Sequence, residues 1–480
     1  MTNASGARIA RAAFVPSRAF LDVAAAVVVV AGTFAVVLAF APNTTSTALA
    51  SWLGRHIVTT HSLWNALGSE TFTAAGVHVY QGWLGAIFAY LAEASGVSAV
   101  LGVAFFFCAV LIAMARAHAR GGTAIAFVAI AALVTFAGYG SLSSPTVTLD
   151  WLLLSVTLLL VERGSPRAVL ACVPLAAVWC NIDAQGVFVP GILLLAAAGA
   201  RIADGSYSAR TGLLVRGGAL ALAATLLTPS VLELPLRAAT YLHIDPTLGS
   251  LQVLQTDSSL SGMRAVVVPL ILAASLFGTW RKQHAFDALL VVSATVFVLM
   301  NAMYAPAFVL AVAPLIVPIA FRSAGLVSSG RTSTLAVLLA FVAICDVVLW
   351  GAAINRWSPD LTAARAPARL AAVLAGDAAN HRILCANFQI CDAFVASGNA
   401  HLSVFMDGRA EAYPRPVIDD QIAIVNVRPK WRSLIATWGV DAIVVRQGRP
   451  LDAVLQLLPR VWTQRATAGS SVLYVRRSAP

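Results

Sequence analysis

Charge is what this 480-residue sequence has least of: Asp, Glu, Lys and Arg together make up 11% of it, against roughly a quarter in an ordinary soluble protein. Hydrophobic residues make up 59%, and the mean hydropathy is +0.82. That balance excludes an ordinary globular enzyme and reads as an α-helical polytopic membrane protein. Lysine is nearly absent, with Lys282 and Lys430 alone, so the net charge of +11 is carried by arginine, as suits a GC-rich bacterial genome. Cysteine is sparse too. Cys108, Cys172, Cys180 and Cys345 fall in apolar runs and show no metal-ligand spacing. Cys385 and Cys391 stand in a polar segment and form a candidate disulfide if it faces an oxidising compartment. No Walker loop, dinucleotide fingerprint, His-Glu-x-x-His pair or nucleophile elbow is present, which argues against ATP-driven transport and zinc proteolysis.

What is present is a succession of apolar runs. A spanning helix needs about 20 mainly apolar residues, and about 11 candidate spans occur between residues 20 and 358. The run from 84 to 115 is too long for one straight span, and Glu93 with Gly96 suggests a short helix leading into a full one. Arg8, Arg11 and Arg18 precede the first run, which is longer than a signal-peptide core, so it reads as a retained helix. With residues 1–19 in the cytoplasm, alternation puts Arg116, Arg120, Arg163, Arg167 and Arg210 inside with most other loop arginines. Only Arg55, Arg237 and Arg264 fall outside. This asymmetry predicts a bacterial inner-membrane protein whose C-terminal part is extracytoplasmic. It also turns most of the positive charge into topology and removes any hint of nucleic-acid binding.

Two outer loops are long, 42–83 and 229–264, and long loops in a compact bundle are usually functional. The first carries Trp52, Trp64, Phe72, Tyr80 and Trp83 and reads as an ordered, amphipathic segment at headgroup level. From residue 359 to 480 the pattern becomes soluble. Segments 382–387, 403–406, 440–445, 462–467 and 471–475 read as strands, and 430–438 and 450–458 as helices. The expectation is a small α/β domain with a mainly parallel sheet and a terminal hairpin, hanging on the outer face.

Acids beside an apolar bundle are costly unless solvated or paired, which makes them functional candidates. Glu70, Asp150, Asp183, Glu233, Asp245 and Asp257 qualify, and Glu70 and Asp183 stand out. Asp183 lies in Trp179-Cys180-Asn181-Ile182-Asp183-Ala184-Gln185-Gly186, where Asn181, Asp183 and Gln185 either face a cavity or form a self-capped polar turn. Arg55, Arg237 and Arg264 either fork onto a lipid phosphate or anchor to ordinary anionic headgroups. In the tail an apolar strand ends in Asp407-Gly408-Arg409, at the edge where open α/β sheets bind ligands. Asp407 and Arg409 are substrate-binding candidates there, or an ion pair fixing the loop.

The ordered set Gln81-Gly82-Trp83-Leu84, Trp179-x-Asn181-Ile182-Asp183, Thr228-Pro229, Leu234-Pro235 and Asp407-Gly408-Arg409 resembles a broad family of bacterial multi-spanning proteins. That family is related in architecture to GT-C glycosyltransferases, and the resemblance covers nearly the whole chain. It implies sugar transfer from a polyprenyl-phosphate lipid to a glycan, lipid or protein acceptor at the outer face of the membrane. It also implies an acid of the first outer loop as base, often within a paired-acid motif. This loop holds one acid, Glu70, so the resemblance assigns it the base role and Asp183 the positioning of the acceptor or of a divalent metal ion. Arg237 or Arg264 then holds the lipid phosphate, with Gln81, Trp83, Asn181 and Gln185 lining the site. Whether a metal is used stays open at this stage. So do two other readings: a lipid or solute transporter, and a non-catalytic membrane scaffold whose single-acid loop marks a lost active site.

Overall fold

The computed structural model describes residues 45–66, 71–73, 77–79, 82–122, 144–183, 186, 188–205, 208–229, 285–300, 305–323, 366–377, 379–407 and 413–477, with part of 126–134. The first described element is helix α1 (Thr45–Thr60), followed by two antiparallel strands, β1 (Trp64–Ala66) and β2 (Val77–Val79). The apolar run after it divides where Gly96 allows a positive φ of 68°, giving α2 (Trp83–Ala94) and α3 (Ser98–Ala119). Helix α4 (Pro145–Arg163) starts with proline at its first position and stops at Gly164 in the left-handed conformation. Ser165 then caps α5 (Pro166–Ile182), its side chain accepting from the Ala168 N–H at 3.3 Å. Helices α6 (Val189–Ala203), α7 (Ala209–Ala224), α8 (Ala285–Met300) and α9 (Ala305–Ser323) complete the described bundle.

Among the described residues, α3 and α4 are long and apolar enough to cross a membrane, and five further apolar helical stretches are shorter. The expected count of about 11 spans therefore has two clear members here, and several of its candidates fall outside the described residues. The bundle core centres on Phe106, Trp151, Leu158, Phe308 and Leu310. At one end, Arg116 is fully buried and ties four helices together. Its guanidinium meets Glu162 Oε1 at 2.6 Å, while Arg120 reaches Glu162 at 3.2 Å and Asp287 at 3.3 Å. Arg116 also donates to the carbonyls of Leu310, at 2.8 Å, and Ala311, at 3.1 Å. Pro314 stands four residues after Leu310 and has no N–H to give it, so the arginine satisfies a carbonyl the helix itself leaves open.

The C-terminal part is a five-stranded sheet in the order β4-β3-β5-β7-β6, formed by β3 (His381–Cys385), β4 (Leu402–Val404), β5 (Ala442–Arg446), β6 (Trp462–Ala468) and β7 (Ser471–Arg476). The terminal hairpin is present, but the sheet is mixed rather than mainly parallel. β3 pairs parallel with β4 and β5, while β7 runs antiparallel to β5 and β6. Helices α12 (Arg415–Val425), α13 (Trp431–Thr437) and α14 (Pro450–Gln456) cover one face, where Trp431, Ile435 and Leu455 join Phe405 and Tyr474. The other face is covered by α10 (Ala366–Ala375) and α11 (Phe388–Ala396).

That second core does not stop at the tail. Leu49, Leu53 and Ile57 of α1 are buried in it together with Leu370, Phe394, Ile383 and Val404. Residues 71–73 also reach the sheet edge: Thr71 bridges Val404 in parallel, the Phe72 N–H donates to the Val404 carbonyl at 3.2 Å, and the Thr73 hydroxyl donates to the Phe405 carbonyl. Phe72 lies edge-on to Phe405 at 5.7 Å, and the Arg382 guanidinium covers its ring at 5.2 Å. Helix α1, residues 71–73 and the α/β domain thus share one core.

Candidate active site

Helices α4 and α5 run antiparallel through the tight turn at Gly164, so the start of α4 and the end of α5 lie at the same end of the bundle, away from Arg116. Asp150 stands in the second turn of α4 and Asp183 is the C-cap of α5. Their carboxyl groups lie close enough to interact with one another. The Trp179 indole Nε1–H donates to Asp150 Oδ1 at 2.8 Å and fixes the orientation of that carboxyl group. An acid at a helix C-terminus also opposes the helix dipole, so the position of Asp183 is not one that helix stability selects.

The end of α5 is held in place from two sides. Asn181 Oδ1 accepts from the Trp83 indole Nε1–H at 2.7 Å, and its amide donates to the carbonyls of Ala177 at 2.8 Å and Leu227 at 2.9 Å. One side chain therefore joins the start of α2, the end of α5 and the segment after α7. Gly82 and Gly85 let α2 press against the Ile182 carbonyl: a Cβ on Gly82 would stand 2.6 Å from that oxygen, and one on Gly85 would be closer still. Gly186 packs flat on the Trp179 indole, where any side chain would collide with Nε1.

Of the residues expected from sequence, Trp83, Asn181 and Asp183 meet here. Trp83 and Asn181 spend their polar atoms on one another and on backbone, so they position the site and do not offer groups to a ligand. Asp150 and Trp179 complete it. Asp150 was one acid among several in the sequence, and the signal that it pairs with Asp183 lies in the fold alone. Arg55 is exposed on α1, and Asp407 is wholly buried at the end of β4, its backbone N–H donating to the Tyr413 hydroxyl at 3.1 Å. Glu70, Gln81, Gln185, Arg237, Arg264 and Arg409 lie outside the described residues. Among the described residues no three His, Cys, Asp or Glu side chains gather as a metal site. Asp150 and Asp183 with an Asn181 oxygen already taken do not make a protein-only cation cage.

In the tail, Cys385 and Cys391 are disulfide-bonded with Cα atoms 5.7 Å apart, linking the end of β3 to the first turn of α11. Tyr474 donates to Asp452 Oδ1 at 2.7 Å, and burial together with this carboxylate pushes the phenol up to about 12. Asp441, half-exposed at the start of β5, is raised by desolvation against the pull of the Arg382 backbone N–H and of His381.

No protein-family model matches the chain, and no curated protein matches it. Among solved structures, the chain is similar to the crystal structure of ArnT from Cupriavidus metallidurans bound to undecaprenyl phosphate, with 13% identity, a TM-score of 0.49, and coverage of 96% of this chain and 98% of that one.

Proposed function

We propose that the chain is an inner-membrane glycosyltransferase that moves a sugar from a polyprenyl-phosphate donor to a glycan, lipid or protein acceptor at the outer face. The observation that carries this reading is the Asp150–Asp183 pair, held by Trp179 at one end of an apolar helical bundle. The ordered motifs that resemble GT-C enzymes include both Trp179 and Asp183. The Cys385–Cys391 bond supports an extracytoplasmic tail, because such bonds rarely persist in the cytosol.

In this reading the paired-acid chemistry is supplied by α4 and α5, and the single acid of the first outer loop is no obstacle to it. One carboxylate of the pair accepts the proton of the acceptor hydroxyl, the hydroxyl oxygen forms a bond to the anomeric carbon, and the lipid phosphate departs with the electrons of the broken C–O bond. The leaving phosphate is already anionic and needs little protonation, so one base suffices. Asn181, Trp83 and Gly85 fix the end of α5 so that Asp183 stays aligned. Glu70 contributes as a third acid from the first outer loop, and Arg237 or Arg264 holds the lipid phosphate.

The test is transfer from labelled polyprenyl-phosphate sugars to a mixture of envelope acceptors by purified full-length protein. Asp183→Asn and Asp150→Asn are each expected to lower transfer by about 10²- to 10⁴-fold, the usual loss of a general base. Undiminished transfer in both variants overturns the assignment, and no transfer by the parent with any donor favours the scaffold reading.

A further inference from the structure

A cavity of about 350 Å³ opens between α1 and the turn that follows α11, lined by Trp52, Arg55, His56, Phe394, Gly398 and Asn399 among others. No aspartate or glutamate lines it. Trp52 and His56 stack, with ring centroids 5.5 Å apart and planes 22° from parallel, which gives the cavity a rigid aromatic wall. Gly398 has a φ of +64°, so its lack of a side chain is set by the backbone. A Cβ placed there would stand 3.7 Å from Arg55 Nη2 and 3.9 Å from Trp52 Nε1. Two nitrogen donors therefore stand within 4 Å of one point beside the glycine. Among the described residues neither donor meets an acceptor. Asn399 Oδ1 is taken by the His401 N–H at 2.9 Å, which leaves its amide nitrogen as a third donor in the lining.

We propose that this cavity is an anion site for a phosphate monoester, carried either by a sugar or by the headgroup of a phosphatidic acid. A guanidinium with further N–H donors and no competing carboxylate selects a phosphate oxygen through charge-assisted bonds. The volume is that of a small-ligand pocket. The Trp52 indole in the lining adds an aromatic surface suited to a sugar ring. The site is built by α1 and the α/β domain together, and it does not depend on the transfer reaction assigned to the acid pair.

The experiment titrates full-length protein in phosphatidylcholine nanodiscs with glucose 1-phosphate, glucose and short-chain phosphatidic acid, reading heat of binding. At least one phosphate-bearing probe is expected to bind about tenfold or more tightly than glucose. Arg55→Gln is expected to remove most of that preference, Arg55→Lys part of it, and Trp52→Phe, which keeps the ring but loses the N–H, an intermediate share. Preference for glucose 1-phosphate assigns a glycan source, and preference for phosphatidic acid a lipid source. Equal binding of glucose and both phosphate probes overturns the proposal. So does a phosphate affinity that stays within about twofold in both Arg55→Gln and Trp52→Phe, provided both variants melt at the temperature of the parent.

Discussion

Asn181 shows how much one side chain decides in this protein. It accepts from Trp83 and donates to two carbonyls, so its polar atoms are spent on holding α2, α5 and the segment after α7 in register. Its removal is expected to leave the protein folded and to displace Asp183. Asn181→Ala and Trp83→Phe should lower the rate of transfer by up to about 100-fold, the cost of misplacing a reacting group by about 1 Å. Donor binding, measured by titration, should stay near that of the parent. Equal losses in donor binding and rate would instead place Asn181 in contact with the donor. The Trp179-x-Asn181-Ile182-Asp183 string was legible in the sequence as a polar turn with a candidate acid. Which of its residues is the acid's partner was not, because Asp150 lies 33 positions earlier and only the antiparallel run of α4 and α5 brings the two together. Tyr474 carries a different residue-scale consequence. A phenol raised from about 10 to about 12 binds its proton more tightly folded than unfolded, so its stabilising effect is complete below about pH 10 and is lost as pH rises through 12. Tyr474→Phe should remove that alkaline loss from the melting curve of the domain and delete the highest step from the phenolate absorbance titration.

At the scale of elements, Arg116 is the best defined determinant of the bundle. It joins α3, α4 and α9 directly and, through Glu162 and Arg120, α8. Removing one partner of a buried ion pair leaves the other uncompensated and typically costs about 3–5 kcal/mol. Arg116→Met should therefore lower the thermal midpoint in detergent sharply, while Arg116→Met with Glu162→Leu should recover much of the loss. An equal loss in the double variant would show that the bonds to Leu310 and Ala311 matter more than the charge pair. Arg116 and Arg120 were legible in the sequence only as part of a charge pattern, and the break of the long run was legible from Glu93 with Gly96. The role of Arg116 as partner to a proline-disrupted helix was not, since it depends on which faces of α3 and α9 meet. In the tail, every strand expected from the sequence is present, with its ends within two residues of those expected. Helices α10, α11 and α12 went unassigned because their short apolar stripes resemble strand patterns when read without the sheet beneath them.

At the scale of the molecule, the boundary near residue 359 marks a change in composition and not the edge of a core. Leu49, Leu53 and Ile57 fill the face of the sheet that α10 and α11 leave open, and residues 71–73 extend its edge. Residues 359–480 produced without the first outer loop should therefore expose apolar surface, bind a hydrophobic dye and aggregate. Adding a peptide spanning 45–60 should suppress both effects, and a monomeric, dye-negative tail would show the shared core to be dispensable. Charge and hydropathy gave the class of the molecule and the composition of its two parts, but the contact between them joins residues more than 300 apart and leaves no local trace.

The shared core also sets an order of assembly. Helix α1 leaves the ribosome long before α10, α11 and the sheet exist, so until then its buried leucines have α2, through Ala86, to pack against and not the sheet. Contacts this distant in sequence form slowly, because the chain between them must be ordered before they are rewarded. The headgroup region, where Trp52 and its neighbours are at home, is the natural waiting place for that helix. Docking of α1 onto the sheet can only follow synthesis of α10 and α11, and the groove between α1 and α11 comes into being with it. A chain truncated before α11 would lack that groove.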